Sequence, residues 1–244
     1  AFQIYCDFGG YSNIARGAAK VMGFDLMLNF RQPYLAKSIK EFWKRWHISL
    51  TSWFTDYLYI PLGGNRKGEI RKYFNIFIVF AVSGLWHGAS WSFVVWGLLH
   101  AIYQIAEAVG AKWRTKTIRE DNLSAKLRKI IITFILTDFA WIFFVSNGLK
   151  HALKLIRQMF TVFQTTGIYE LGLDRGNWFM LTFGLIVLLL VDILHEKKIS
   201  IFDLVAKQEI WFRWLICFTL LWVTIMFGIY GPEYDTSTFI YFQF

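Results

Sequence analysis

A chain of 244 residues that is 56% hydrophobic and only 18% charged, with a mean hydropathy of +0.40, carries too little charge to cover a soluble domain of its size. Aromatic residues make up 20% and twelve are Trp, which suits a bilayer, where such rings settle at the headgroup level. The net charge of +9 fits basic loops beside anionic headgroups better than nucleic acid, for which no soluble basic module is present, and the two distant cysteines, Cys6 and Cys217, exclude a disulfide framework and a cysteine metal site.

In chain order, the first residue is not Met and Ala1–Asp7 has no cleavable signal pattern, so the sequence is expected to be the C-terminal portion of a longer protein. Ile4–Gly23 mixes Asp7, Asn13, Arg16 and Lys20 with apolar residues and calls for protein neighbours or an interfacial position. After Pro33, Lys37–Tyr59 predicts one amphipathic helix. Ile39, Phe42, Trp43, Trp46, Leu50, Trp53, Phe54 and Tyr57 recur at helical spacing, with Lys37, Lys40, Lys44 and Arg45 mostly opposite. A basic face backed by an aromatic one is the pattern of an in-plane interfacial helix. Tyr59–Arg66 then ends it in a turn.

Tyr73–Ala106 is 34 residues without Asp, Glu, Lys or Arg. One straight helix of that length would run about 51 Å, against a hydrocarbon core of about 30 Å. The glycines of Ser83-Gly84-Leu85-Trp86-His87-Gly88 divide it into two helices meeting at a kink at membrane depth. Nine basic and three acidic residues precede it between Arg31 and Lys72, and seven basic and two acidic residues follow between Lys112 and Lys129. Both flanks therefore read as cytoplasmic, which makes the pair re-entrant or broken with His87 at its apex. Ile130–Leu149 (interrupted by Asp138), Gly176–Val191 (extending to His195) and Ile210–Gly231 (with Arg213) predict three further transmembrane segments within 130–231. Lys150–Arg175 carries four basic residues, and the tail after Pro232 carries Glu233 and Asp235 without a basic residue, which fits the outer face.

His87 is the leading candidate for chemistry. An ionisable group inside a membrane segment is rare and is read as functional by default. A ring held away from water favours its neutral form, which can accept a proton from a substrate hydroxyl. A structural histidine bonded to a carbonyl bared by the glycines is the competing reading. His47, on the basic amphipathic stretch, reads on its own as a wetted surface residue, and His100, His151 and His195 as ordinary interfacial ones. Ser83 lies one turn from His87 but lacks the glycine pattern of a nucleophile elbow. No short spacing among the histidines supports zinc, and Gly63-Gly64-Asn65-Arg66 is not a phosphate-binding loop.

Four motifs occur in register: Tyr5-Cys6-Asp7-Phe8-Gly9-Gly10-Tyr11-Ser12, Phe42-Trp43-Lys44-Arg45-Trp46-His47-Ile48-Ser49-Leu50, Tyr57-Leu58-Tyr59-Ile60-Pro61-Leu62-Gly63-Gly64-Asn65-Arg66 and Gly84-Leu85-Trp86-His87-Gly88-Ala89. Together they resemble the membrane-bound O-acyltransferase family over residues 1–105, in particular its bacterial alginate O-acetyltransferase branch. The terminal Phe239–Phe244 also resembles that branch. The resemblance implies an all-α, polytopic membrane helix bundle around a funnel or tunnel, with residues 1–244 forming a single membrane domain. It places the family's invariant histidine on His87 and a second important histidine on His47. Asp7, Arg45, Asn65, Arg66 and Trp86 become candidates for binding substrate or donor, with no metal and no bound cofactor.

The expected function is transfer of an acyl group, acetyl foremost, from a cytoplasmic thioester such as acetyl-CoA or an acyl carrier protein. The acceptor is a hydroxyl of an extracytoplasmic polysaccharide or of a secreted relay partner protein. The expected setting is the bacterial inner membrane, with lipids as neighbours and no nucleic acid. The alternatives are a membrane transporter or channel, which would also place polar residues at broken helices, and a non-catalytic subunit of a polysaccharide export complex.

Overall fold

A computed structural model describes residues 1–113, 122–162, 167 and 172–228. Every regular element among them is helical. The chain divides into two compact units, Ala1–Gln164 and Thr165–Gln243.

The first unit opens with α1 (Phe2–Val21). A short 3₁₀ turn (Pro33–Leu35) leads to α2 (Ile39–Trp43) and α3 (Ile48–Phe54), which continues into a π-helical turn (Thr55–Tyr59). The single helix expected over Lys37–Tyr59 is therefore interrupted. Its aromatic period runs on across the gap, but His47 adopts φ +42°, and Asn29 and Arg31 bind the chain on either side of it. Tertiary hydrogen bonds override the periodicity here. Glycines and a proline then turn the chain between Ile60 and Lys67, as expected.

The uncharged stretch forms two helices, α4 (Glu69–His87) and α5 (Trp91–Trp113), separated by Gly88-Ala89-Ser90. Lys112 near the end of α5 forms an ion pair with Glu69 at the start of α4, so the helices run antiparallel. Two glycines let them approach closely. A Cβ on Gly84 would collide with the Phe93 carbonyl oxygen, and a Cβ on Gly97 with that of Phe80. α6 (Leu123–Val145) and α7 (Leu149–Thr161) complete the unit. The sequence reading did not mark α7. Along it, Leu149, Ala152, Leu155 and Ile156 share one face, and Lys150, Lys154 and Arg157 the other.

The core of this unit is aromatic. Tyr5 and Phe8 of α1 pack on Phe30, and Tyr34, Phe42 and Trp46 continue the cluster toward Trp141 of α6. Ile39, Phe42 and Trp96 are almost wholly buried, the Ile39 and Phe42 side chains each worth about 1.5–3 kcal/mol on removal from water. α2 is anchored at its start by Ser38, whose hydroxyl accepts the Glu41 N–H at 3.0 Å.

The second unit holds α8 (Arg175–Glu196), the short α9 (Ile201–Ala206) and α10 (Ile210–Phe227). Asp174 caps α8 by accepting the Asn177 N–H at 2.7 Å. α5, α8 and α10 are long and apolar enough to cross a membrane. α10 buries none of its residues, an arrangement for a helix this apolar that calls for lipid or another protein around it. The acidic tail and residues 114–121 of the basic segment lie outside the described residues.

Candidate functional site

His87 is the last residue of α4, where the helix stops at Gly88. His47 is the residue from which α3 starts. The fold brings them together although 40 positions separate them in the chain. The Trp86 ring lies 4.9 Å from that of His87 and 6.3 Å from that of His47, so both imidazoles flank one indole. Both are buried, at 8% and 9% exposure for His47 and His87, whereas Trp86 is 56% exposed. The pair thus lies one side chain beneath the surface.

The surroundings are apolar. Trp96 and Phe144 stand edge-on to the His87 ring, each at 5.1 Å, and Phe8 stands edge-on to His47 at 4.6 Å. Burial pushes the His47 ring from the ordinary imidazole range down to about 4, so it is neutral at pH 7. This corrects the reading of His47 as a wetted surface residue. An amphipathic wheel drawn through an unbroken helix puts it at an edge, but the left-handed turn rotates it inward.

The other candidates divide. Trp86 bridges the two histidines. Arg45 is engaged by its neighbours, pairing with Glu41 Oε1 one turn away at 2.6 Å and donating to the Gln32 carbonyl at 3.2 Å. Asn65 and Arg66 are exposed on the loop after the π-helical turn, where the Tyr59 hydroxyl donates to Asn65 Oδ1. That loop is held by the buried Asn75 of α4, whose amide donates to the carbonyls of Gly64 at 3.1 Å and Leu62 at 3.3 Å. Asp7 is half-buried on α1 beside Gln3, and burial raises its carboxyl above the usual range.

A third histidine was missed. His100 was expected at an interface, yet it is fully buried. Its Nδ1 accepts the Trp43 indole N–H at 3.2 Å, and its ring packs 5.4 Å from Trp96, the residue that also touches His87. Its position four residues after Trp96, in the uncharged part of α5, was the available signal, since a buried polar ring there needs a partner.

Comparison with known proteins adds a decisive observation at this point. The model of the membrane-bound O-acyltransferase family matches residues 1–149, which include both histidines. The chain belongs to that family. Its relatives include a probable alginate O-acetylase AlgI of Pseudomonas aeruginosa, 41% identical over 188 residues, covering 76% of this chain and 34% of the relative. A peptidoglycan O-acetyltransferase of Helicobacter pylori is 42% identical over 159 residues, 65% of this chain and 30% of the relative. A teichoic acid D-alanyltransferase of Bacillus subtilis is 31% identical over 159 residues, 62% of this chain and 40% of the relative. The chain therefore spans about a third of the length of these relatives.

Proposed function

We propose that this chain carries the reacting end of a multi-pass bacterial membrane O-acyltransferase in which His87 is the general base and His47 its partner. The juxtaposition of the two buried imidazoles behind Trp86, at the break between α4 and α5, carries the reading. In an apolar setting a neutral imidazole is a competent proton acceptor, and it lies at a helix end where the backbone opens.

In this reading a cytoplasmic thioester, such as acetyl-CoA or an acyl carrier protein, presents its carbonyl carbon through a funnel that leads to the histidines. His87 removes the proton from an acceptor hydroxyl and the oxygen attacks the carbonyl carbon. The tetrahedral species collapses by breaking the C–S bond, and the departing thiolate takes the proton back from His87. His47, also neutral, orients the acceptor hydroxyl or the His87 ring. Relatives named for alginate, peptidoglycan and teichoic acid point to an envelope polymer as the final acceptor, reached directly or through a secreted relay protein. Trp86 would cover the pair, and the exposed Arg66 would meet the phosphates of the donor.

The test is transfer of a radiolabelled acyl group by the full-length protein in liposomes. His87→Ala should lose about 10²–10⁴-fold in rate, the usual contribution of a general base. Undiminished label in that variant would sink the assignment and favour a transport or docking role.

A further inference from the structure

His47 sits at φ +42°, a left-handed backbone that is uncommon for a residue with a side chain and is kept where the surroundings favour it. The group that favours it here is Asn29. Its carbonyl accepts the Ile48 N–H at 3.0 Å, and its side-chain Oδ1 accepts the Ser49 N–H at 3.3 Å and the Ser49 hydroxyl at 2.6 Å. Ile48 and Ser49 open α3, where the first backbone donors of any helix lack an internal partner. On the other side of His47, the Arg31 N–H donates to the Arg45 carbonyl at 2.9 Å. The Asn29 amide nitrogen donates to the Ser12 hydroxyl of α1 at 3.2 Å, tying the arrangement to the helix that sets Phe8 against the His47 ring.

We propose that Asn29 is the positioning residue for His47, bracing the left-handed turn that aims the imidazole at Trp86 and His87. The proposal rests on the role in transfer assigned to His47 above. Asn suits the task because one short side chain offers both an acceptor to α3 and a donor to α1. Without the Asn29 side chain only the main-chain bonds of Asn29 and Arg31 hold the turn against the single helix that the aromatic period favours, and the ring is no longer fixed toward the pair.

The experiment uses the full-length protein in liposomes, with kcat and donor KM measured separately. Asn29→Ala should lower kcat by about 10–100-fold, the scale of an ångström-sized misplacement, with KM unchanged. Asn29→Asp, which keeps the acceptor for α3 and loses only the donor to Ser12, should recover most of that loss. Ser49→Ala should fall between them, and together with Asn29→Asp it carries the test if Asn29→Ala does not fold. Adding Asn29→Ala to His47→Asn should cost nothing further, because nothing is left to aim.

A wild-type kcat in Asn29→Ala, an Asp variant no better than Ala, or independent losses in the double variant would each overturn the brace. Full activity in Asn29→Ala beside an inactive His47→Asn would overturn the brace alone. Full activity in His47→Asn would overturn the role of His47, and the brace with it.

Discussion

The carboxylate of Glu107, near the end of α5, accepts the backbone N–H of Ile39 at 2.8 Å, from 68 positions away in the chain. Its second oxygen takes the Lys40 N–H at 3.3 Å. Glu107 thus caps α2 from outside, adding to Ser38, and a negative charge at a helix N-terminus is favourable. Because α2 leads directly into the turn that holds His47, this cap secures one side of the site. Glu107→Ala should destabilise the folded protein by about 1–2 kcal/mol, chiefly because it bares the part-buried Ile39 N–H, whereas the exposed Lys40 N–H can turn to water. Glu107→Gln, which keeps an acceptor, should lose less. Thermal unfolding in detergent separates the two.

The α4–α5 contact predicts a second loss. Gly84 faces the Phe93 carbonyl and Gly97 the Phe80 carbonyl, backbone against backbone, so an added methyl has no flexible side chain to push aside. Gly84→Ala and Gly97→Ala should each cost about 1–3 kcal/mol by overpacking. Gly84→Ala should also reduce acyl transfer, because separating the helices shifts His87, three residues further along α4. Gly110→Ala, at an α5 position where nothing lies within 4 Å of the added Cβ, is the control and should leave transfer unchanged and stability unchanged or raised by up to about 1 kcal/mol, the helix preference of Ala over Gly.

These glycines also mark where sequence reasoning reached furthest. The division of Tyr73–Ala106 into two helices follows from length against bilayer thickness, and the glycines locate the break within a few residues. His87 stands out because it is the histidine at the glycine break of that stretch, whereas His100, the other histidine there, lies well inside the second helix. His47 is not legible from the pattern of residues alone. Its burial depends on one backbone angle set by Asn29, 18 positions earlier, and a helical wheel cannot register a left-handed residue. The resemblance of the Phe42–Leu50 motif, not the wheel, pointed to it. His100 escaped for a related reason, since its donor, Trp43, lies 57 positions away. α7 is hidden because Lys150, Lys154 and Arg157 break it into runs too short to resemble a membrane span, and only its helical period carries the apolar face.

Burial of His47 makes stability depend on pH in a defined window. An exposed imidazole in the unfolded chain titrates near 6.5, whereas the folded ring titrates near 4. Between those values the unfolded state binds more protons, so stability is fully present above about pH 6.5 and falls as pH drops toward 4. Melting temperatures measured from pH 7.5 to 4.5 should decline. The decline should be shallower in His47→Asn, which cannot titrate and tolerates a left-handed backbone. Identical slopes in the two proteins would contradict the burial of this ring.

His100 and Trp43 provide a pair whose energetics depend on which partner is removed. The indole N–H of Trp43 has His100 Nδ1 as its acceptor in a region closed to water. His100→Phe keeps an aromatic ring between Phe42, Phe80 and Trp96 but leaves that N–H buried without a partner, at a cost of about 1–3 kcal/mol. Trp43→Phe removes the donor and leaves a void, costing somewhat less than the 3–5 kcal/mol of a full Trp→Ala truncation. The double variant should be more stable than the sum of the two losses predicts, because replacing both polar partners abolishes the unsatisfied group. A double-mutant cycle on unfolding free energy reads this directly, and strict additivity would mean the bond contributes nothing. Because Trp96 lies between His100 and His87, the same proteins should also show whether the buried bond supports transfer. A double variant that regains stability but not rate would assign the His100–Trp43 pair a role in holding the Trp96 face against the His87 ring.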